Sequence, residues 1–307
     1  MRQPIVVGTD MTRASDDALL RAEMLATRDS VELTVVHAIS PLLWAVGDHA
    51  EHFARLRDQI EQRITSVTGR PRSAYSVLIE RGLPHAVLAR LAIAQDALLV
   101  VGSHMHHGLG HALVRDVSER VIERARGPVL VTTPGAESGQ VLVAVDRPFE
   151  LSEPLDAGIE EARATGSQLA ILHCVQTGLL HMLAADLNNG GADAQRPLGM
   201  DAPLPEARRA LRAELARRRV SAQVSVFEGA PHPLLMNIAR RIRTRLIVIG
   251  SGHCKRSLDV TNAVLRHAPC SVLVVDCRSA FDRDTALGAA DIAPAGTSPA
   301  AEERLAD

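Results

Sequence analysis

Two groups of residues in this chain have types and spacings that suit chemistry. Asp10 ends the apolar run Ile5-Val6-Val7-Gly8-Thr9, and Gly102-Ser103-His104 ends the run Leu98-Leu99-Val100-Val101. A carboxylate at a strand end accepts hydrogen bonds from sugar hydroxyls, and a glycine turn that opens a helix presents backbone N–H groups to phosphate. The second group is His104, His106, His107 and His111, with His85 upstream, dense enough to hold zinc or nickel. No cysteine or clear carboxylate neighbour completes a four-ligand set, so a solvated polar loop is the expected reading and a zinc site the alternative.

The second half of the chain offers weaker candidates. His253-Cys254-Lys255-Arg256 follows Gly250-Ser251-Gly252. It could hold an anion, or its cations could lower the Cys254 thiol, but an ordinary surface loop is the expected reading. Arg208, Arg209, Arg212, Arg217, Arg218 and Arg219 crowd one predicted helix from Glu206 to Arg219, which reads as a solvated face. Cys174 and Cys270 lie in or beside apolar runs and read as small buried hydrophobes. His37 and His173 sit at matching places near strand ends and read as hydrogen-bonded structural histidines.

The elements that position these residues come twice. Ile5–Asp10 resembles Val141–Asp146, Val35–Ile39 resembles Ile171–Val175, and Ile79–His85 resembles Val226–His232. Leu98–Ser103 resembles Leu246–Ser251, and Pro128–Val131 resembles Ser271–Val274. Five landmarks in the same order mark a duplication. The offset is 136 positions at the two aspartates and at the two histidines His37 and His173, 148 at Gly102 and Gly250, and 143 at Val129 and Val272. The second copy therefore gained about 12 residues before its fourth strand and lost about 5 after it.

Within each copy, β-branched runs alternate with helical periods such as Ala18, Ala22, Leu25 and Leu155, Ile159, Ala162. The strands are continuous apolar runs, as expected when helices cover both faces of a parallel sheet. The expectation is an α/β chain of two tandem five-stranded parallel-sheet, Rossmann-like domains with strand order 3-2-1-4-5. Repeat 1 spans 1–136 and repeat 2 spans 137–277. The segment Asn188–Pro205 reads as an inserted loop, and 278–307, rich in Ala, Asp and Pro, as a disordered tail. With that strand order, a ligand site lies where the order reverses, between the first and fourth strands.

Composition excludes several classes. A formal net charge of -2 and 2% aromatic residues give neither the basic field nor the stacking platforms of a nucleic-acid binder. No run is long enough to span a membrane, the N-terminus reads as a strand, and four cysteines make no disulfide framework, so a cytoplasmic protein is expected. No nucleophile elbow, P-loop or paired-acid constellation is visible, which argues for a binding module and not an enzyme.

The frame from Gly102 through Asp116, followed by Gly127-Pro128-Val129-Leu130-Val131, resembles the universal stress protein family. That family ends its fourth strand with G-x2-G-x9-G-[ST]. The resemblance implies an adenine-nucleotide alpha hydrolase-like fold and an ATP pocket in repeat 1. The pocket would be built from Asp10, Ala38, Gly102, Met105, Arg115, Asp116 and Val117, with counterparts Asp146, Gly250 and Gly252 in repeat 2. Three of these depart from the pattern. Met105 stands for the second glycine, Arg115 for the third, and Asp116 for the hydroxyl residue. A side chain at 105 obstructs close backbone approach, and a carboxylate at 116 repels phosphate. The repeat 2 loop is shortened by its deletion. The expectation is a stress-response module with eroded nucleotide loops that acts through a ligand or an unidentified protein partner. The alternative is an ATP-binding sensor or weak nucleotide hydrolase using repeat 1. The resemblance also implies pairing of the repeats through Val129–Thr132 and Val272–Val275, apolar edges that would otherwise be exposed.

Overall fold

The computed structural model describes residues 3–39, 49–103, 117–135, 138–145, 153–175, 204–251 and 255–277. Repeat 1 runs β1 Ile5–Gly8, α1 Arg13–Asp29, β2 Leu33–Ile39, α2 His49–Thr68, β3 Ser76–Arg81, α3 Pro84–Ala94, β4 Leu98–Gly102, α4 Val117–Arg124 and β5 Val129–Thr132. Repeat 2 runs β6 Gln140–Val145, α5 Glu153–Thr165, β7 Leu169–Val175, α6 Leu204–Arg217, β8 Gln223–Glu228, α7 Pro231–Arg241, β9 Thr244–Ser251, α8 Lys255–His267 and β10 Ser271–Asp276. Prolines at the first helical positions of α3 and α7 suit those starts, where no N–H bond is lost. Pro205 likewise falls within α6, so that helix begins inside the segment expected as an inserted loop. The rest of that insertion and the segment 278–307 lie outside the described residues.

All ten strands form one sheet in the order β3-β2-β1-β4-β5-β10-β9-β6-β7-β8. Each repeat contributes a parallel half, as the alternation of patterns predicts, and its order is the expected 3-2-1-4-5. The halves meet at β5 and β10, which pair antiparallel with Val129 opposite Val274, Leu130 opposite Leu273 and Val131 opposite Val272. The register is centred on Leu130 and Leu273, so a pseudo-twofold relates the repeats. Residues 1–277 accordingly form a single compact unit.

Alternation along the strands divides the core between the two faces. Val7, Val35, Val100 and Leu130, with Val143, Ile171 and Val248, pack under α1, α2, α5 and α6. Val6, Leu99, Val129 and Val131, with Leu142, Ile247, Val272 and Val274, pack under α3, α4, α7 and α8. Leu, Ile, Val and Ala fill most of both layers, which is how a chain with so few aromatics closes its core.

Candidate functional site

The strand order reverses beside β1 in repeat 1 and beside β6 in repeat 2, so the carboxyl ends of β1 and β4, and of β6 and β9, are the two crevices where a ligand is expected. In repeat 1 a small hydrogen-bonded knot fills the turn from β1 into α1. The Asp10 carboxylate accepts from the Thr12 N–H at 2.9 Å and the Thr12 hydroxyl at 2.6 Å, both through Oδ1. Ser15 spends its hydroxyl proton on the Thr12 carbonyl at 2.9 Å. Thr9 Oγ1, 3.2 Å from Ser15 Oγ, is therefore the donor of that pair, and it accepts from the Met11 N–H at 3.1 Å. Met11 holds a left-handed φ of 62° to let the turn close.

The strand-two histidines have the same job in both halves. His37 Nδ1 lies 2.8 Å from the Thr9 carbonyl, and His173 Nδ1 lies 2.8 Å from the Val145 carbonyl. A carbonyl only accepts, so each ring carries its proton on Nδ1 and ties the end of its repeat's first strand to its second. This is the structural role expected from the repeat. Ala38 follows His37 in β2 and is half-buried, and Val117 opens α4 half-buried.

Gly102 ends β4 where a Cβ would lie 2.4 Å from the Ala14 carbonyl oxygen. The glycine is needed there because the first turn of α1 lies directly on the strand end. Ser103 Oγ, next in the chain, is buried with no hydrogen-bond partner among the described residues. In repeat 2, Gly250 instead faces the Cys277 thiol, 2.6 Å from a built Cβ, and Pro154. Cys277 is held there by its N–H to the Ser251 carbonyl at 3.1 Å.

Met105, Arg115 and Asp116, the histidines His104, His106, His107 and His111, and Asp146, Gly252, His253 and Cys254 all lie outside the described residues. Among the described residues, no three His, Cys, Asp or Glu side chains gather to hold a metal. At the end of the arginine-rich helix Arg218 bonds Glu214 at 2.6 Å and also Asp156, and Arg217 bonds Glu214, while Arg208, Arg209 and Arg212 are exposed. Burial pushes the Cys174 thiol up to about 11 and the Cys270 thiol up to about 12, so both are inert hydrophobes at neutral pH.

Two clefts open at the opposite end of the sheet, where strands begin. One of about 320 Å³ lies beside Thr27, Leu33, Arg70 and Tyr75, and one of about 550 Å³ beside Arg163, Leu169, Arg219 and Gln223. Neither reaches Asp10, and no motif in the sequence marks them.

Sequence reasoning missed three buried acids, Asp276 and the two at the seam. Glu119 is 3% exposed and Glu161 8% exposed. Glu119 receives both guanidinium nitrogens of Arg266 at 2.5 and 3.0 Å, and Glu161 receives Arg21 and Arg28 at 2.8 Å each. One signal was available: aligning the repeats places Glu161 opposite Leu25, a charge at a core position.

The fold and crevices define a fused pair of open parallel α/β domains, each with a glycine at or one residue before the end of its fourth strand. The model of the universal stress protein family matches residues 1–133 and again residues 138–276. The chain belongs to that family, as a tandem member. A universal stress protein from Archaeoglobus fulgidus superposes with a TM-score of 0.64 at 16% identity, covering 90% of this chain and 97% of that one. A protein of unknown function from Pseudomonas aeruginosa superposes with a TM-score of 0.58 at 17% identity, covering 89% and 92%. Among the described residues, no helix is long and apolar enough to cross a membrane.

Proposed function

We propose that this chain is a cytoplasmic stress-response binding module, without catalysis, whose repeat 1 crevice contacts a nucleoside only weakly and whose output is a protein contact. The observation that carries the reading is what the crevice does with its polar groups. Asp10 Oδ1 holds the first turn of α1, Thr9 donates to Ser15 and Ser15 to the Thr12 carbonyl, and His37 Nδ1 is spent on a backbone carbonyl. No described pair there is arranged as nucleophile and base. Ser103 Oγ is the polar atom at the strand end that still lacks a partner among the described residues, and a ligand hydroxyl suits it.

The loop chemistry points the same way. Phosphate contacts need the residue types that Met105, Arg115 and Asp116 replace, so their loss should weaken ATP more than adenosine. Each missing charge-assisted bond costs about 1.5–3 kcal/mol, enough over two or three to turn micromolar binding millimolar. Calorimetry on purified protein tests this. Wild type should bind ATP weakly or undetectably, and Met105→Gly with Arg115→Gly and Asp116→Ser should gain at least about tenfold. Micromolar ATP binding by the wild type, or turnover lost with Asp10→Ala, would replace this reading with the sensor or hydrolase.

A further inference from the structure

The seam between the repeats is symmetric in backbone and asymmetric in charge. On one face, Arg21 and Arg28 of α1 reach Glu161 of α5. On the other, Glu119 of α4 takes a two-pronged bond from Arg266 of α8. The pseudo-twofold allows each partner to be matched with its counterpart. The buried faces of α4 and α8 align as Ser118 with Thr261, Val121 with Val264, Ile122 with Leu265 and Ala125 with Ala268. By the same offset, Glu119 corresponds to Asn262 and Arg266 to Glu123. On the other face Leu19 corresponds to Leu155 and Ala26 to Ala162, which places Leu25 at the position of Glu161.

Neither ion pair is therefore repeated by the symmetry. The mate of Glu119–Arg266 is Asn262 with Glu123, and Asn262 Oδ1 is buried without a hydrogen-bond partner among the described residues. Two copies of repeat 1 meeting through β5 would set buried Glu119 against Glu123 of the other copy, twice. They would also leave Arg21 and Arg28 facing Leu25. Two copies of repeat 2 would leave Glu161 facing the alanines Ala157 and Ala164, which correspond to Arg21 and Arg28. A like-charge or unpaired buried group at an interface rejects the wrong partner more strongly than a matched pair rewards the right one.

We propose that the seam is a charge-coded heterotypic interface: repeat 1 pairs with repeat 2 and rejects a second copy of itself. The partner its surface fits is a domain of this fold with an acid at the Glu161 position and a cation at the Arg266 position. The chain carries such a partner in cis, so β5 and β10 are closed to a second molecule. This inference stands apart from the ligand reading above.

The full chain tests it first. Glu119→Arg should lower Tm by roughly 3–6 °C, and adding Arg266→Glu should recover most of that loss by restoring the pair with reversed polarity. The pairing rule is read by placing a protease site between residues 136 and 137, cleaving the folded chain, unfolding and refolding the fragments together, and counting complexes by native mass spectrometry. Only mixed complexes are expected from the wild type. Glu123→Arg should let repeat 1 pair with itself, because Glu119 then meets a cation. The statistical mixture of all three pairings from the wild type would overturn the proposal. So would a charge-reversed double variant as unstable as the Glu119→Arg single, and that outcome decides even if the fragments fail to refold.

Discussion

Gly102 is the last residue of β4 and Gly250 the last but one of β9, yet they are glycines for different reasons. At Gly102 the obstacle to a side chain is the backbone of α1, with the Ala14 carbonyl oxygen 2.4 Å from a built Cβ. At Gly250 it is the Cys277 thiol at 2.6 Å, the end of a side chain that can turn aside. In repeat 1 a helix start is pressed onto the strand end, and the first-turn knot of Thr9, Asp10, Thr12 and Ser15 holds it there. In repeat 2 the corresponding space is taken by the residue that follows β10. The glycine at one strand end is thus set against helix backbone and the glycine at the other against side chains. A glycine shared by two copies does not by itself mark a shared site.

The largest difference between the repeats should come from filling those glycines. Gly102→Ala forces backbone apart and should cost about 3 kcal/mol, whereas Gly250→Ala, which has to turn a thiol and press lightly on the Pro154 ring, should cost less, about 1–2 kcal/mol. Urea unfolding of both variants measures this, and equal costs would erase the distinction.

A middle-sized effect is expected where the repeats agree. His37→Leu and His173→Leu each leave a strand-end carbonyl without its donor, at about 1–2 kcal/mol. The larger loss should fall at His173, which is 4% exposed, because water reaches the half-buried His37 site. A larger loss at His37 would mean that the ring does more than tie two strands together.

The smallest effect is a pH dependence. Burial, then Arg124 and Arg120, hold His85 below its ordinary 6.5. Burial, then His267 and Arg240, do the same to His232, whose ring centroid lies 5.0 Å from that of His267. As pH falls below about 6.5 the unfolded chain takes up protons that the native rings refuse. Their contribution to stability is complete above 6.5 and is lost on acidification towards the lowered native values. The melting temperature should be lower at pH 5.5 than at pH 7.5 from this source. His85→Gln with His232→Gln should flatten the difference, and an unchanged slope would assign it to the carboxylates.

Much of this molecule was legible in the chain. The paired landmarks gave the duplication, and continuous apolar strands alternating with helical periods gave parallel sheets with covered faces. The matching His37 and His173 announced one structural role used twice. These features are readable because each is set by residues close in sequence, or by a pattern that recurs at a constant offset. The clefts at the strand beginnings were not legible, since loops and helix ends from distant segments shape them without any motif. Nor was the commitment of Asp10 to Thr12, because an acid at a strand end serves a ligand or a helix turn with the same residue type. The seam pairs join residues 133, 140 and 147 positions apart. Their partners are set by the antiparallel meeting of β5 and β10 and not by local pattern. The sequence alone determined that there are two copies of one fold, because periodicity and offset are properties of the chain. Only the tertiary structure decided how the copies meet, because burial makes a glutamate a selector of partners once a particular arginine stands opposite it.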